Sequence, residues 1–102
     1  MELKAGSRWK SAVSDTEVIV VKPGSGSADL GCGGVLMYLM DGEAPSGAEL
    51  DPNLAEGTAL GKRYVDEAEG IEVLCTKAGA GTLTINGTPL TLQGAKPLPA
   101  SD

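Results

Sequence analysis

The chain has 102 residues, of which 41% are hydrophobic but only one tryptophan and two tyrosines are aromatic, so we expect one small domain with an aliphatic core. Its net charge of −6 disfavours nucleic acid as a partner, and no apolar stretch is long enough for a membrane span. Histidine is absent, which removes the usual general base and the commonest zinc ligand. With two cysteines and no apolar leader segment, we expect reduced thiols in a cytoplasmic protein.

The first half of the chain predicts short strands separated by turns. Residues 16–22 are almost entirely β-branched and carry apolar side chains on both faces, which is typical of a central or covered strand. A Gly/Ser-rich turn follows at 23–27, residues 28–30 return as a short strand toward Cys32, and residues 35–40 form another apolar strand. Because two apolar strands offer more surface than one thin sheet can cover, we expect a twofold homodimer, and we expect it in a bacterial cell.

The second half begins with an acidic segment. Residues 41–58 show neither a strand nor a helix period, and they predict an exposed acidic loop with one helical turn near 51–55. Strands resume at 62–65 and 71–76, and alternation along the latter points Cys75 into the core.

The clearest local pattern is a hairpin. Asn86-Gly87 lies between alternating strands and predicts a two-residue turn, because both positions need a positive φ. In that register Leu83 lies opposite Leu90, and Pro89, which has no N–H to donate, favours an edge strand. The hairpin's apolar side chains are expected on the core face and its threonines on the other face; the apolar set is Leu83, Ile85, Leu90 and Leu92.

These elements predict an all-β fold. We expect a small barrel or sandwich of about seven short strands, formed by a single domain over residues 1–102. The loop at 41–58 and an extended tail at 95–102 complete the predicted organisation.

The segment DLGCGG, at residues 29–34, raises the main functional question. Gly33 and Gly34 follow Cys32 directly, and glycines on both sides let the backbone fold tightly around a sulfur, as in a metal knuckle. The same pattern also suits a small buried cysteine at a tight turn. Because so little side-chain mass flanks it, we expect Cys32 to be partly accessible and Cys75 to be protected.

A longer pattern surrounds this segment. It consists of an aromatic-Lys step, a β-branched strand, a Gly-rich turn, an acidic-Leu step and a Cys-Gly pair followed by methionine; the corresponding residues are Trp9-Lys10, Asp29-Leu30, Cys32-Gly33 and Met37. In order and spacing, residues 9–39 resemble the small iron-binding domain of desulforedoxin and of the N-terminal part of desulfoferrodoxin. That family has a Cys-x-x-Cys knuckle after the aromatic-Lys step and a Cys-Cys pair in the second knuckle.

The departures from the family pattern lie at the metal ligands. Ser11 and Ser14 occupy the Cys-x-x-Cys positions, and Gly31 occupies the first position of the cysteine pair, so only Cys32 survives. A serine hydroxyl is not ionised at neutral pH and binds iron or zinc poorly. The resemblance therefore implies a scaffold that has lost its metal and acts as a non-catalytic binding or accessory module. Its candidate binding residues are Trp9, Ser11, Ser14, Cys32, Gly33 and Gly34.

Two alternatives belong to other classes of protein. Cys32 and Cys75 could serve a thiol- or metal-dependent redox protein, with iron or zinc as the metal; two thiolates per chain would then need a second chain to complete a four-ligand site. A small enzyme could instead use carboxylates or lysines as acid and base, and the candidates for those roles are Asp15, Asp66, Glu67, Glu69, Lys62 and Lys77. The sequence names neither a small-molecule ligand nor a protein partner.

Overall fold

A computed structural model describes residues 1–44 and 47–93 of the chain. It contains ten short strands and one turn of 3₁₀ helix within that part, and the all-β prediction is confirmed. The strands are β1 (Arg8–Lys10), β2 (Glu17–Pro23), β3 (Leu30–Cys32), β4 (Val35–Leu36), β5 (Tyr38–Leu39), β6 (Arg63–Asp66), β7 (Ile71–Lys77), β8 (Leu83–Ile85), β9 (Thr88–Pro89) and β10 (Thr91–Leu92).

The strands form two antiparallel sheets that share their edges. The larger sheet has the order β10-β6-β7-β2-β1-β5, and the smaller sheet has the order β4-β3-β8-β9. Only Met37 separates β4 from β5, and only Leu90 separates β9 from β10. Each of these pairs is therefore one bent strand that leaves one sheet and enters the other, and the two sheets together enclose the core as a flattened barrel.

The bend at Met37 corrects the prediction of one continuous strand over residues 35–40. Met37 is buried in the core, and its N–H donates to the carbonyl of Leu30, at 2.9 Å. The neighbouring Leu36 and Leu39 side chains are exposed. The chain therefore passes from the smaller sheet (β4) to the larger sheet (β5) at Met37, whose side chain points into the core.

The central position predicted for residues 16–22 is confirmed. Strand β2 lies between β1 and β7, and its inward Val18 and Val20 are fully buried. Ile19 and Val21 lie on the outer side of the larger sheet, where they are half-buried. The aliphatic core is built from such inward positions of both sheets.

The predicted hairpin turn is also confirmed. Asn86 has φ 51° and Gly87 has φ 84°, and Ile85 pairs with Thr88 across them. Pro89 lies in β9 at the edge of the smaller sheet, as its missing N–H requires.

The expected division of the hairpin into an apolar and a polar face is only partly right. Leu83, Ile85 and Leu90 are buried, but Leu92 is 39% exposed because β10 has already joined the larger sheet. Thr84 is buried on the outer side of the smaller sheet, where it faces Gly31.

The acidic loop divides into an exposed and a packed part. Residues 41–44 are exposed, whereas Thr58 is buried. The 3₁₀ turn Pro52–Leu54 matches the predicted helical turn, and the Asp51 carboxylate caps it by accepting the N–H of Asn53 at 2.9 Å. The predicted tail at 95–102 lies outside the described residues. In the described part of the chain, no helix has the length and apolar character that a membrane crossing requires.

Candidate functional site

Strand β3 places the residues of the DLGCGG segment alternately on the inner and the outer side of the barrel. Leu30 and Cys32 point into the barrel, so Gly31 between them lies on the outer side. On the inner side, Cys32 meets a set of hydroxyl groups that we call the hydroxyl–thiol cluster; its members are Ser11, Ser14, Thr16, Cys32 and Thr58. On the outer side, the glycines form part of a groove that we call the glycine groove.

The cluster is a continuous chain of contacts centred on Ser14. Ser14 Oγ lies 2.9 Å from Ser11 Oγ, 3.2 Å from Thr16 Oγ1 and 3.7 Å from Cys32 Sγ. Thr16 Oγ1 lies 2.7 Å from Thr58 Oγ1. The positions that the desulforedoxin pattern assigns to metal ligands, Ser11, Ser14 and Cys32, are therefore neighbours in space.

Counting protons gives the direction of the hydrogen bond between Thr16 and Thr58. Thr58 has one hydroxyl hydrogen, which it donates to the Gly81 carbonyl at 3.0 Å. Thr16 must therefore donate to Thr58. Ser14 Oγ can donate to Ser11 Oγ or to Thr16 Oγ1, and in its contact with Cys32 either the hydroxyl or the thiol can be the donor.

A tight turn after β1 brings the serines to Cys32. Ser11 Oγ accepts the N–H groups of Val13, at 3.2 Å, and of Ser14, at 3.0 Å, and this folds the chain back on itself. The Ser11 N–H donates to the Thr16 carbonyl at 2.9 Å, which closes the turn onto the start of β2.

The expectation that Cys32 is partly accessible is wrong, since its side chain is 0% exposed. The glycines near it allow other segments to approach instead of uncovering the sulfur. A Cβ at Gly81 would lie 2.6 Å from Cys32 Sγ. A Cβ at Gly33 would overlap the Leu50 side chain and lie 2.8 Å from that of Val13. Space left by missing side chains is filled by neighbouring loops.

Cys75 is buried as expected, at 1% exposure, and lies opposite Val18 in the pairing of β7 with β2. Its Sγ donates to the carbonyl of Lys77 at 3.2 Å. Burial raises the pKa of the Cys75 thiol; the hydrogen bond to Lys77 opposes this rise, and the Cys32 sulfur adds to it. Among the described residues, no three His, Cys, Asp or Glu side chains are grouped as metal ligands.

Trp9 does not join either side of the site. It faces Val18 and belongs to the core, at 5% exposure, because it occupies the inward position of β1. Its indole N–H donates to Ser7 Oγ at 3.0 Å. The prediction that Trp9 contributes to binding is therefore corrected to a structural role.

The glycine groove has a volume of about 390 Å³ and crosses the outer side of the smaller sheet. Gly31 and Gly34 come from the DLGCGG segment, and both positions need glycine. A Cβ at Gly31 would lie 2.8 Å from Thr84 Oγ1, and Gly34 has φ 88°, with Asp51 2.8 Å from the place of its Cβ. Leu36 and Leu54 supply the groove's apolar contacts.

Two carboxylates and an amide define the polar character of the groove. Asp29 keeps 60% of its side chain exposed and contacts the Met1 amino group at 3.3 Å. Asn86 Oδ1 accepts the Asp29 N–H at 2.8 Å, and the Asn86 N–H donates to the Asp29 carbonyl at 2.9 Å. The hairpin turn thereby holds the backbone of Asp29 in place, and the hydrogen bond to the Asn53 N–H holds the Asp51 carboxylate in place.

The acid/base candidates from the sequence have ordinary surroundings. Asp66 accepts the N–H of Glu69 at 3.1 Å, as a turn residue does. Lys62 is exposed, and Lys77 is exposed beside Glu17, at 4.0 Å. Neither lysine is buried.

The sequence did not indicate several residues of the site. Thr58 and Gly81 lie far along the chain and carry no motif, so only the tertiary fold brings them to the cluster. Thr16 lies two residues after Ser14, but its sequence pattern indicates only the start of a strand. No family model, characterised protein or solved structure matches the chain. Function is therefore inferred from the cluster and the groove themselves.

Proposed function

We propose that the chain is a non-catalytic binding module on a desulforedoxin-like scaffold without its metal, and that the glycine groove binds an extended, positively charged segment of a partner protein. The observation that carries the proposal is the groove itself. It has glycines and apolar side chains in its lining together with two carboxylates, Asp29 and Asp51, and it lies directly outside the strand that holds Cys32.

The inner cluster supports the loss of the metal. Ser11, Ser14 and Cys32 are neighbours, but two of the three positions carry neutral hydroxyl groups, and these side chains contact one another. Neutral hydroxyl groups are weak ligands for iron or zinc. Cys75 adds only one more sulfur, and burial disfavours its thiolate.

The groove supports a binding function for an extended segment. Glycine at positions 31 and 34 lets Thr84 and Asp51 approach the backbone of the DLGCGG segment, so these two side chains line the groove. Leu36 and Leu54 can contact apolar side chains, while the carboxylates attract lysine or arginine. The net charge of −6 steers a cationic partner toward the whole molecule.

The same features favour binding over catalysis. The Asp51 carboxylate is engaged as a helix cap, and the Asp29 backbone is tied to Asn86. The nucleophilic candidates, Cys32 and Cys75, are both sealed inside the barrel. A thiol that is sealed from solvent is out of reach of a substrate, and burial also raises the pKa of Cys75.

Short extended peptides test the groove. Acetylated, amidated hexapeptides with two lysines at different spacings, and matched peptides with glutamate in place of lysine, are titrated into ¹⁵N-labelled protein. We expect only the lysine peptides to bind, with amide shifts at Gly31 and Gly34 and with affinity that falls as salt rises. Binding that is equal for both peptide sets would contradict the proposal.

A matched pair of variants separates the groove from general charge. Asp51→Asn keeps a capping side chain but removes a groove charge, and we expect roughly 3- to 10-fold weaker peptide binding. Asp41→Asn removes a charge from an exposed loop position and should leave binding almost unchanged. Equal losses in the two variants would show that only net charge matters.

Metal content tests the scaffold part of the proposal. Protein purified without chelator should be folded, colourless and substoichiometric in iron and zinc. One equivalent of either metal per chain, or per two chains, would instead favour the redox function that uses Cys32 and Cys75.

A further inference from the structure

A second cavity, of about 500 Å³, opens beside β10, and we call it the opening pocket. It lies where residues 56–59 pass the bent strand β9–β10. Core residues reach it from inside the barrel: Leu83 and Leu90 line its inner part, and Leu92 lines its outer part. The pocket therefore borders the apolar interior.

Its size is that of a small-molecule site, since ligand pockets are typically roughly 300–1,000 Å³ and barrel mouths are a common place for them. Its lining combines polar and apolar groups in similar measure. Tyr64 is half-buried and packs against the core, so its ring extends the apolar wall.

Two hydroxyl groups in the pocket have hydrogens to offer. The Tyr64 hydroxyl oxygen accepts the N–H of Ala59 at 2.8 Å, and Thr82 Oγ1 accepts the N–H of Glu56 at 2.9 Å. Each oxygen is thereby held in place, and within residues 1–44 and 47–93 no group accepts either hydroxyl hydrogen in return. Both can donate to a ligand.

The charge in the pocket restricts what can enter. Glu56 lines it, and the chain as a whole carries −6. Each of these disfavours an anion. A strongly cationic ligand that reached the inner part of the pocket would bring its charge against Leu83 and Leu90, where desolvation is costly.

We infer that the opening pocket binds a small, uncharged molecule with an apolar part, and that this molecule presents a hydrogen-bond acceptor, such as a carbonyl oxygen, to the hydroxyl of Tyr64 or of Thr82. This site is separate from the glycine groove and shares no lining residue with it. The inference does not depend on the proposed peptide binding.

Cyclooctanone tests the inference, with cyclooctanecarboxylate as the charged counterpart. Titration into ¹⁵N-labelled protein should give saturable shifts at the amides of Ala59 and Glu56, which bond to the two hydroxyls. The carboxylate should give none. Absence of a saturable ketone shift, or ketone shifts confined to Gly31 and Gly34, would overturn the inference.

Three variants identify the contacts. Tyr64→Phe and Thr82→Val each remove one donor, and we expect roughly 2- to 10-fold weaker ketone binding from each. Because these changes also remove the acceptor of a backbone N–H, Leu92→Ser provides an independent check: Leu92 is partly exposed, and its loss should weaken binding without unfolding the barrel. Unchanged affinity in all three folded variants would place the ketone elsewhere.

Two controls complete the experiment. Asp51→Asn alters the glycine groove and should leave ketone affinity unchanged, so failure of one proposal can be told from failure of the other. Spectra at several protein concentrations without ketone test a second copy as the occupant. Concentration-dependent shifts at Ala59 and Glu56 would overturn the small-molecule assignment.

Discussion

Replacing Gly81 by alanine tests the close packing around Cys32. The new Cβ would lie 2.6 Å from Cys32 Sγ, 3.1 Å from the backbone N of Gly33 and 3.2 Å from Ser14 Oγ. Such overpacking typically costs about 1–3 kcal/mol, and the backbone contact cannot relax by a side-chain rotation. We expect Gly81→Ala to lower the free energy of unfolding within that range.

A second substitution shows which neighbour causes the loss. Cys32→Ala alone removes one buried sulfur and should cost about 1 kcal/mol as a small cavity. In the double variant the methyl group introduced by Gly81→Ala occupies part of the space that the sulfur leaves. The two losses should therefore fall short of additivity by about 1 kcal/mol or more.

Urea denaturation followed by the fluorescence of the buried Trp9 measures each free energy of unfolding, under reducing conditions. Cys75→Ala combined with Gly81→Ala serves as the control, because the atoms nearest to the new Cβ belong to Cys32, Gly33 and Ser14 and not to Cys75. That pair should be closer to additive. A neutral Gly81→Ala variant, or full additivity with Cys32→Ala, would refute the packing described around the sulfur.

Four further predictions concern other parts of the molecule. Burial raises the pKa of Cys75 in the folded state, so the unfolded chain loses that thiol proton at a lower pH than the folded chain does. The free energy of unfolding should therefore fall as pH rises above about 8.5, and Cys75→Ala should lessen this fall. Gly87→Val should lower stability by about 1–2 kcal/mol through backbone strain alone, since no atom lies within 4 Å of its Cβ position; an unchanged melting curve would contradict the turn geometry. Leu39 is 44% exposed beside exposed Leu36 and Met40, and if these side chains form the expected twofold interface, Leu39→Lys should convert a dimer to a monomer in sedimentation equilibrium. Ser11→Cys with Ser14→Cys places three thiols together and should give thiolate-to-Co²⁺ absorption, whereas Ser25→Cys with Ser27→Cys, in another turn, should not.

The parts of the fold that follow from local chemistry were predictable from the sequence. The β-branched run at residues 16–22 indicated the central strand, and Asn86-Gly87 indicated the hairpin, because each pattern is determined by its own backbone preferences. The two bent strands were not predictable. Whether Met37 continues a strand or turns a corner depends on where the second sheet lies, and that is a property of the whole chain.

The candidate site shows the same division. Ser11, Ser14 and Cys32 were selected from a sequence pattern, and the fold brings them into contact. Their environment was misjudged, because glycine was expected to expose the sulfur. In the folded chain Gly81 and the loop around Leu50 occupy the space beside the DLGCGG segment, and no local pattern indicates that approach.

Each bent strand belongs to both sheets, and this affects how the two sheets unfold. Strand β10 pairs with β6 while its continuation β9 pairs with β8, and β5 and β4 join β1 to β3 in the same way. Neither sheet can separate without disturbing pairing in the other, since a frayed corner loosens two ladders at once. Amide protons of β3 and β7 should therefore exchange with solvent through the same global event, at similar free energies, despite lying in different sheets.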